Sequence, residues 1–133
     1  YKKTIFDIIK DQGENQFRRI ETDSLKNIIN TYYSCHILSL GGGTTNFNNF
    51  DMFINYKIRV WLKSSIDTLV ERFDKSCNRR PLLESDNISE SLNNIYIDRK
   101  KNYNEYSNFS IVVDDKSIDT IVNELIDIIN EKN

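Results

Sequence analysis

His36-Ile37-Leu38-Ser39-Leu40-Gly41-Gly42-Gly43-Thr44 is the stretch that decides the fold. A short apolar run stops at three successive glycines, which predicts a buried strand over residues 36–40 ending in a tight turn. Glycines at such a turn let backbone N–H groups approach an anion or a hydroxyl closely. The same residues also suit a plain strand-to-helix connection, and both readings stay open on this motif alone. Three of only four glycines in the chain fall here.

Working outward, Lys57–Leu62 and Phe109–Val113 are two more β-rich runs. Between and around them the apolar spacing is helical. Ile5, Ile8 and Ile9 form one stripe that Gly13 ends. Phe17, Ile20, Leu25, Ile28 and Ile29 form a second over residues 15–30. Residues 46–55 fit a short helix. Ser64 or Ser65 caps a helix through Leu69 and Phe73, residues 89–106 form a long helix, and Ser117 caps a last one to Ile129. Strands alternating with helices give an α/β class with a mostly parallel sheet. In such sheets ligands bind at the carboxyl ends of the strands, where the glycine run lies.

The chain has 133 residues, enough for one domain spanning 1–133, with residues 75–88 as a polar, basic lid that carries the one proline. Lysine and arginine total 18 against 20 acidic residues, a net charge of −2. That balance argues against nucleic acid or an anionic membrane as partner, so any basic site is local. Cys35 and Cys77 lie far apart without CxxC spacing, which predicts neither a disulfide scaffold nor a zinc site and fits a reduced, cytoplasmic protein. No apolar run reaches the ~18 residues of a membrane span. Abundant Asn, Ile and Lys with no Ala reads as the codon usage of an AT-rich genome.

Several residue groups suit chemistry. Arg18 and Glu21 stand at i and i+3 on one helix face, either as a carboxylate-binding arginine held by a glutamate or as an ordinary surface ion pair. Arg79-Arg80-Pro81-Leu82-Leu83 places arginines on the lid. An arginine there neutralises charge on a transferring phosphoryl group, or the segment is a solvated basic loop. Arg99 and Tyr103 form an i,i+4 pair; Arg99 suits a carboxylate, though Asp98, Lys100 and Lys101 beside it also fit a solvated face. His36 stands alone and reads as structural.

The order of these motifs is more specific than any one of them. Gly13-Glu14…Phe17-Arg18…Glu21, Ser39-Leu40-Gly41-Gly42-Gly43-Thr44, Val60-Trp61-Leu62, Arg80-Pro81-Leu82-Leu83 and Arg99…Tyr103 follow one another as in shikimate kinases, which the chain resembles over essentially its whole length. The resemblance implies the three-layer parallel sheet of the P-loop kinases, and transfer of the γ-phosphoryl group of ATP to the 3-hydroxyl of shikimate with Mg²⁺. It implies that Arg18 and Arg99 grip the shikimate carboxylate. Glu21 would orient Arg18, Gly41, Gly42 and Gly43 would face the substrate, and Phe17 would pack on its ring. Arg80 would act catalytically from the lid and bind nucleotide, with Arg72 and Asp115 against the adenine. Partners would be shikimate and ATP, with the protein monomeric.

The chain departs from the family in two ways. One residue more than the family's spacing separates Arg72 from Arg80, and Ile9 stands where many members carry phenylalanine. No G-x-x-x-x-G-K-[ST] occurs in the 133 residues, and the chain begins with Tyr1 rather than Met. The first strand, the P-loop and the metal-binding carboxylates are therefore expected upstream, with this chain a fragment inactive and poorly stable by itself. A non-catalytic relative and another small-molecule kinase of the same fold are the alternatives.

Overall fold

The computed structural model describes residues 3–31, 37–46, 50–53, 55–74 and 87–132. It opens with helix α1 (Ile5–Gln12), then α2 (Glu14–Thr31), a 3-10 turn (Thr44–Asn46) and the short α3 (Phe50–Phe53). Strand β1 (Val60–Lys63), helices α4 (Ile66–Asp74) and α5 (Ile88–Tyr106), strand β2 (Phe109–Val112) and helix α6 (Ile118–Lys132) follow.

Local chemistry sets most boundaries. Thr4 and Asp7 close a reciprocal capping box on α1, each side chain bonded to the other's backbone N–H at 3.2 Å. Gly13, at φ 81°, ends α1 by donating its N–H to Ile9 O. Ser65 and Ser117 cap α4 and α6, accepting from the N–H groups of Thr68 and Thr120 at 3.1 Å each. Asn87 caps α5.

The two strands are parallel, with Val60 opposite Phe109 and Lys63 opposite Val112. Helices α4 and α5 lie in the crossover that a parallel pair requires. Arg59 and Asn108 stitch the strand starts together. The Asn108 amide donates to Lys57 O and accepts from Arg59 N–H, while Arg59 Nε donates to Tyr106 O. At the other end the Asp114 carboxylate accepts from the Ser65 N–H and the Ser64 hydroxyl, tying the loop after β2 to the start of α4. Among the described residues the buried apolar side chains are Ile8, Leu25, Phe53, Leu92, Ile111 and Val113.

The strand expected over residues 36–40 is corrected. Of its described residues, 37–40 form no regular element, and Ile37 is 89% exposed. An apolar run becomes a strand only where neighbouring backbone pairs with it, and no described backbone pairs with 37–40. Of the short helix expected at 46–55, residues 47–49 and 54 lie outside the described residues, and Phe50–Phe53 form α3. The lid expected at 75–88 lies outside the described residues apart from Asn87 and Ile88, which start α5.

Candidate active site

Arg18 sits one turn into α2 with its side chain 7% exposed, so the surface-pair alternative does not hold. The fold buries it between two carboxylates of its own helix. Arg18 Nε and Nη2 donate to Glu14 Oε1 at 3.3 and 3.1 Å, and Nη1 donates to Glu21 Oε2 at 2.9 Å. Three of the five N–H donors of a guanidinium are thus used, and one is left on each terminal nitrogen. The guanidinium also lies 4.9 Å from the centroid of the Phe17 ring.

Glu21 links this arginine to the glycine turn. Its Oε1 accepts from the hydroxyl of Thr44, which is 1% exposed, at 2.9 Å. The Thr44 N–H closes the turn on Gly41 O at 3.0 Å. Gly43 faces the arginine directly: a Cβ there would stand 2.6 Å from Arg18 Cζ and 2.9 Å from Nη1. Only a residue without a side chain lets the guanidinium lie so close.

Helix α5 supplies the opposite wall. Arg99 Nη1 lies 3.4 Å from the Cβ position of Gly42, and the Tyr103 hydroxyl donates to Gly42 O at 2.7 Å. Asn102 donates to Thr45 O one step further on. The Tyr103 ring packs on Trp61 of β1 at 5.3 Å, and Trp61 also meets Tyr96 at 6.3 Å. Arg99 is half-buried and makes no hydrogen bond or ion pair with the described residues. A half-buried cation with no counter-charge among the described residues favours an anion beside it.

Residues far apart in sequence therefore converge. Arg18, Glu21 and Arg99 lie against the Gly41–Gly43 turn, with Phe17 beside Arg18. Arg72 and Asp115 belong to a second locus. Arg72, in the last turn of α4, donates to Val113 O at 3.2 Å, two residues before Asp115, which takes a left-handed φ of 55°. Arg80 lies outside the described residues. Sequence reasoning gave no role to Glu14, Thr44 or the Tyr103 hydroxyl. The i,i+4 spacing of Glu14 and Arg18 was the available signal for the first; the other two contacts span 23 and 61 residues and leave no local trace.

The family model for shikimate kinase matches residues 1–130. The shikimate kinase of Flavobacterium psychrophilum is 37% identical over 128 residues, covering 92% of this chain and 73% of that protein. That of Staphylococcus haemolyticus is 33% identical over 125 residues, covering 93% and 69%. In structure, the chain superposes on the shikimate kinase of Acinetobacter baumannii, solved in complex with shikimate, with a TM-score of 0.86 at 24% identity. That match covers 98% of this chain and 72% of the other. The Bacteroides thetaiotaomicron enzyme gives 0.80 at 21%, covering 96% and 76%. The two structures speak for the fold, an α/β fold with a parallel sheet of the P-loop kinase type. With a family model matched from residue 1 to residue 130 and relatives above 30% identity, the chain belongs to the shikimate kinase family of phosphotransferases.

Proposed function

We propose that this chain forms the shikimate-binding portion of an enzyme that transfers the γ-phosphoryl group of ATP to the 3-hydroxyl of shikimate. The observation that carries the reading is Arg99. It is a half-buried guanidinium with no partner among the described residues, facing the glycine turn on which the buried Arg18 lies. Two planar cations at one turn suit a single carboxylate, which accepts paired N–H donors.

Each residue then has a physical task. Glu14 and Glu21 hold Arg18 in one orientation, so little side-chain entropy is lost when substrate arrives. Arg18 and Arg99 bind the carboxylate, and Phe17 packs on the ring. The backbone N–H groups of the Gly41–Gly43 turn face the substrate. Phosphoryl transfer asks mainly for positioning and charge stabilisation, and this constellation supplies the positioning half. Arg72 and Asp115 are assigned to the nucleotide, and Arg80 to the transferring phosphoryl group.

Mg²⁺ accompanies ATP in this reading. Among the described residues no group of three or more His, Cys, Asp or Glu side chains could hold a metal ion, so these residues do not fit a metal site. We take the protein to be a cytoplasmic monomer. No helix among the described residues is long and apolar enough to cross a membrane.

Calorimetric titration of the intact protein with shikimate tests the assignment. Saturable binding that is lost in Arg99→Ala is expected. Binding that is unchanged in Arg99→Ala and in Arg18→Ala sinks the carboxylate clamp.

A further inference from the structure

We propose that Tyr103 is a positioning residue that locks the Gly42–Gly43 peptide in one of two orientations, and so fixes where the Gly43 N–H points. The proposal rests on the reading of this turn as the substrate site.

Gly41–Thr44 is a four-residue turn closed by the Thr44 N–H on Gly41 O. Gly43, its third residue, is not in the positive-φ region, which makes the turn type I rather than type II. The two types differ by a flip of the central peptide, the one joining Gly42 to Gly43. A type II turn needs positive φ at its third residue, and glycine reaches that at no steric cost. With glycine on both sides of the flipping bond, the local sequence alone does not choose between the two orientations.

Tyr103 supplies the choice. Its hydroxyl donates to Gly42 O at 2.7 Å, a bond that a flipped peptide loses. Because a trans peptide is planar, with its C=O and the next N–H pointing in opposite directions, holding Gly42 O also aims the Gly43 N–H away from Tyr103. That N–H makes no hydrogen bond with the described residues, although Gly43 is buried. It is a donor held ready for an acceptor that the described residues do not provide. The tyrosine is itself held: its ring packs on Trp61, and it stands one helical turn beyond Arg99. One face of α5 thereby delivers both the Arg99 cation and the lock on the turn.

Tyr103→Phe in the intact protein keeps the ring and its packing on Trp61 and removes only the hydroxyl. The Gly43 amide resonance of the ligand-free protein, assigned by ¹⁵N labelling, is expected to shift and its hydrogen exchange to quicken. Affinity for shikimate should fall about three- to tenfold, the worth of one neutral hydrogen bond. In steady state this appears as a raised KM for shikimate, with the KM for ATP unchanged. Tyr96→Phe, which alters the other ring on Trp61, should leave all of these as they were. A Gly43 amide indifferent to Tyr103→Phe overturns the lock whatever happens to binding. If wild-type protein fails to bind shikimate, the functional reading falls instead, and the Gly43 amide still decides on the lock. Should Tyr103→Phe lose its fold, seen as lost amide dispersion, Tyr103→Trp serves as the second variant; an unperturbed Gly43 amide there overturns the proposal equally.

Discussion

Replacing Gly43 by alanine puts a methyl group where the Arg18 guanidinium lies. The added carbon would meet Cζ at 2.6 Å and Nη1 at 2.9 Å, with Nη2 closer still. Non-bonded carbon atoms settle at about 3.5–4.0 Å, so the guanidinium must retreat by roughly 1 Å. It is not free to do so, because Glu14 and Glu21 hold it by three hydrogen bonds between 2.9 and 3.3 Å. Overpacking of this kind costs about 1–3 kcal/mol. Loss of one charge-assisted bond adds roughly 1.5–3 kcal/mol if the side chain swings out instead. Gly41 gives the matched control. A Cβ there meets Thr44 Oγ1 at 3.5 Å and Glu21 Oε1 at 3.6 Å, which is ordinary contact. Gly42 falls between, with Tyr103 Oη at 3.0 Å. Alanine at 41, 42 and 43 should therefore damage the protein in increasing order. Chemical denaturation and shikimate titration of the three variants read this directly. The account expects near-wild-type behaviour for Gly41→Ala, and for Gly43→Ala an affinity loss of at least tenfold, which corresponds to about 1.4 kcal/mol. Equal effects at 41 and 43 would refute the steric reasoning.

Three further outcomes follow from the same geometry. Arg99→Ala should weaken shikimate binding by about 1.5–3 kcal/mol while leaving the denaturation midpoint nearly unchanged, since Arg99 makes no hydrogen bond with the described residues. Arg18→Ala should lose both binding and stability, the latter by about 3–5 kcal/mol, because two carboxylates are left facing one another around a buried vacancy; circular dichroism melts separate it from Arg99→Ala. The Ser65 N–H, with the Ser64 hydroxyl, holds the Asp114 carboxyl below the usual carboxylate range. A lowered folded-state value contributes stability above the unfolded value of about 3.9 and loses it as pH falls through the folded one. Melting midpoints of wild type and Asp114→Asn should therefore differ near neutral pH and converge in acid; a constant gap would contradict the assignment.

Most helices were legible in the sequence because their signals are local, whereas of the strand expected over 57–62 only the part from Val60 pairs. The capping side chains of Thr4, Ser65 and Ser117 and the glycine at 13 act within a turn of the residues they organise. The run ending at Leu40 was misread because alternation and apolarity report a tendency, whereas a strand needs a pairing partner that no local pattern encodes. The site was legible only in part. Arg18 and Glu21 stood at the right spacing, yet nothing in that spacing says whether the pair is buried. The glycine turn declares closeness to something without naming the Arg18 guanidinium that Gly43 admits. The Tyr103 hydroxyl reaches Gly42 across 61 residues, a contact that exists only once α5 is packed beside the turn. What joined these ambiguous pieces was their order along the chain.

The most direct measurement is ADP release by the intact protein with MgATP, with and without shikimate, in a coupled assay. The account predicts release that depends on shikimate, saturates with it, and falls at subsaturating shikimate in Arg99→Ala. Release indifferent to shikimate, or no release in its presence, would contradict the central claim.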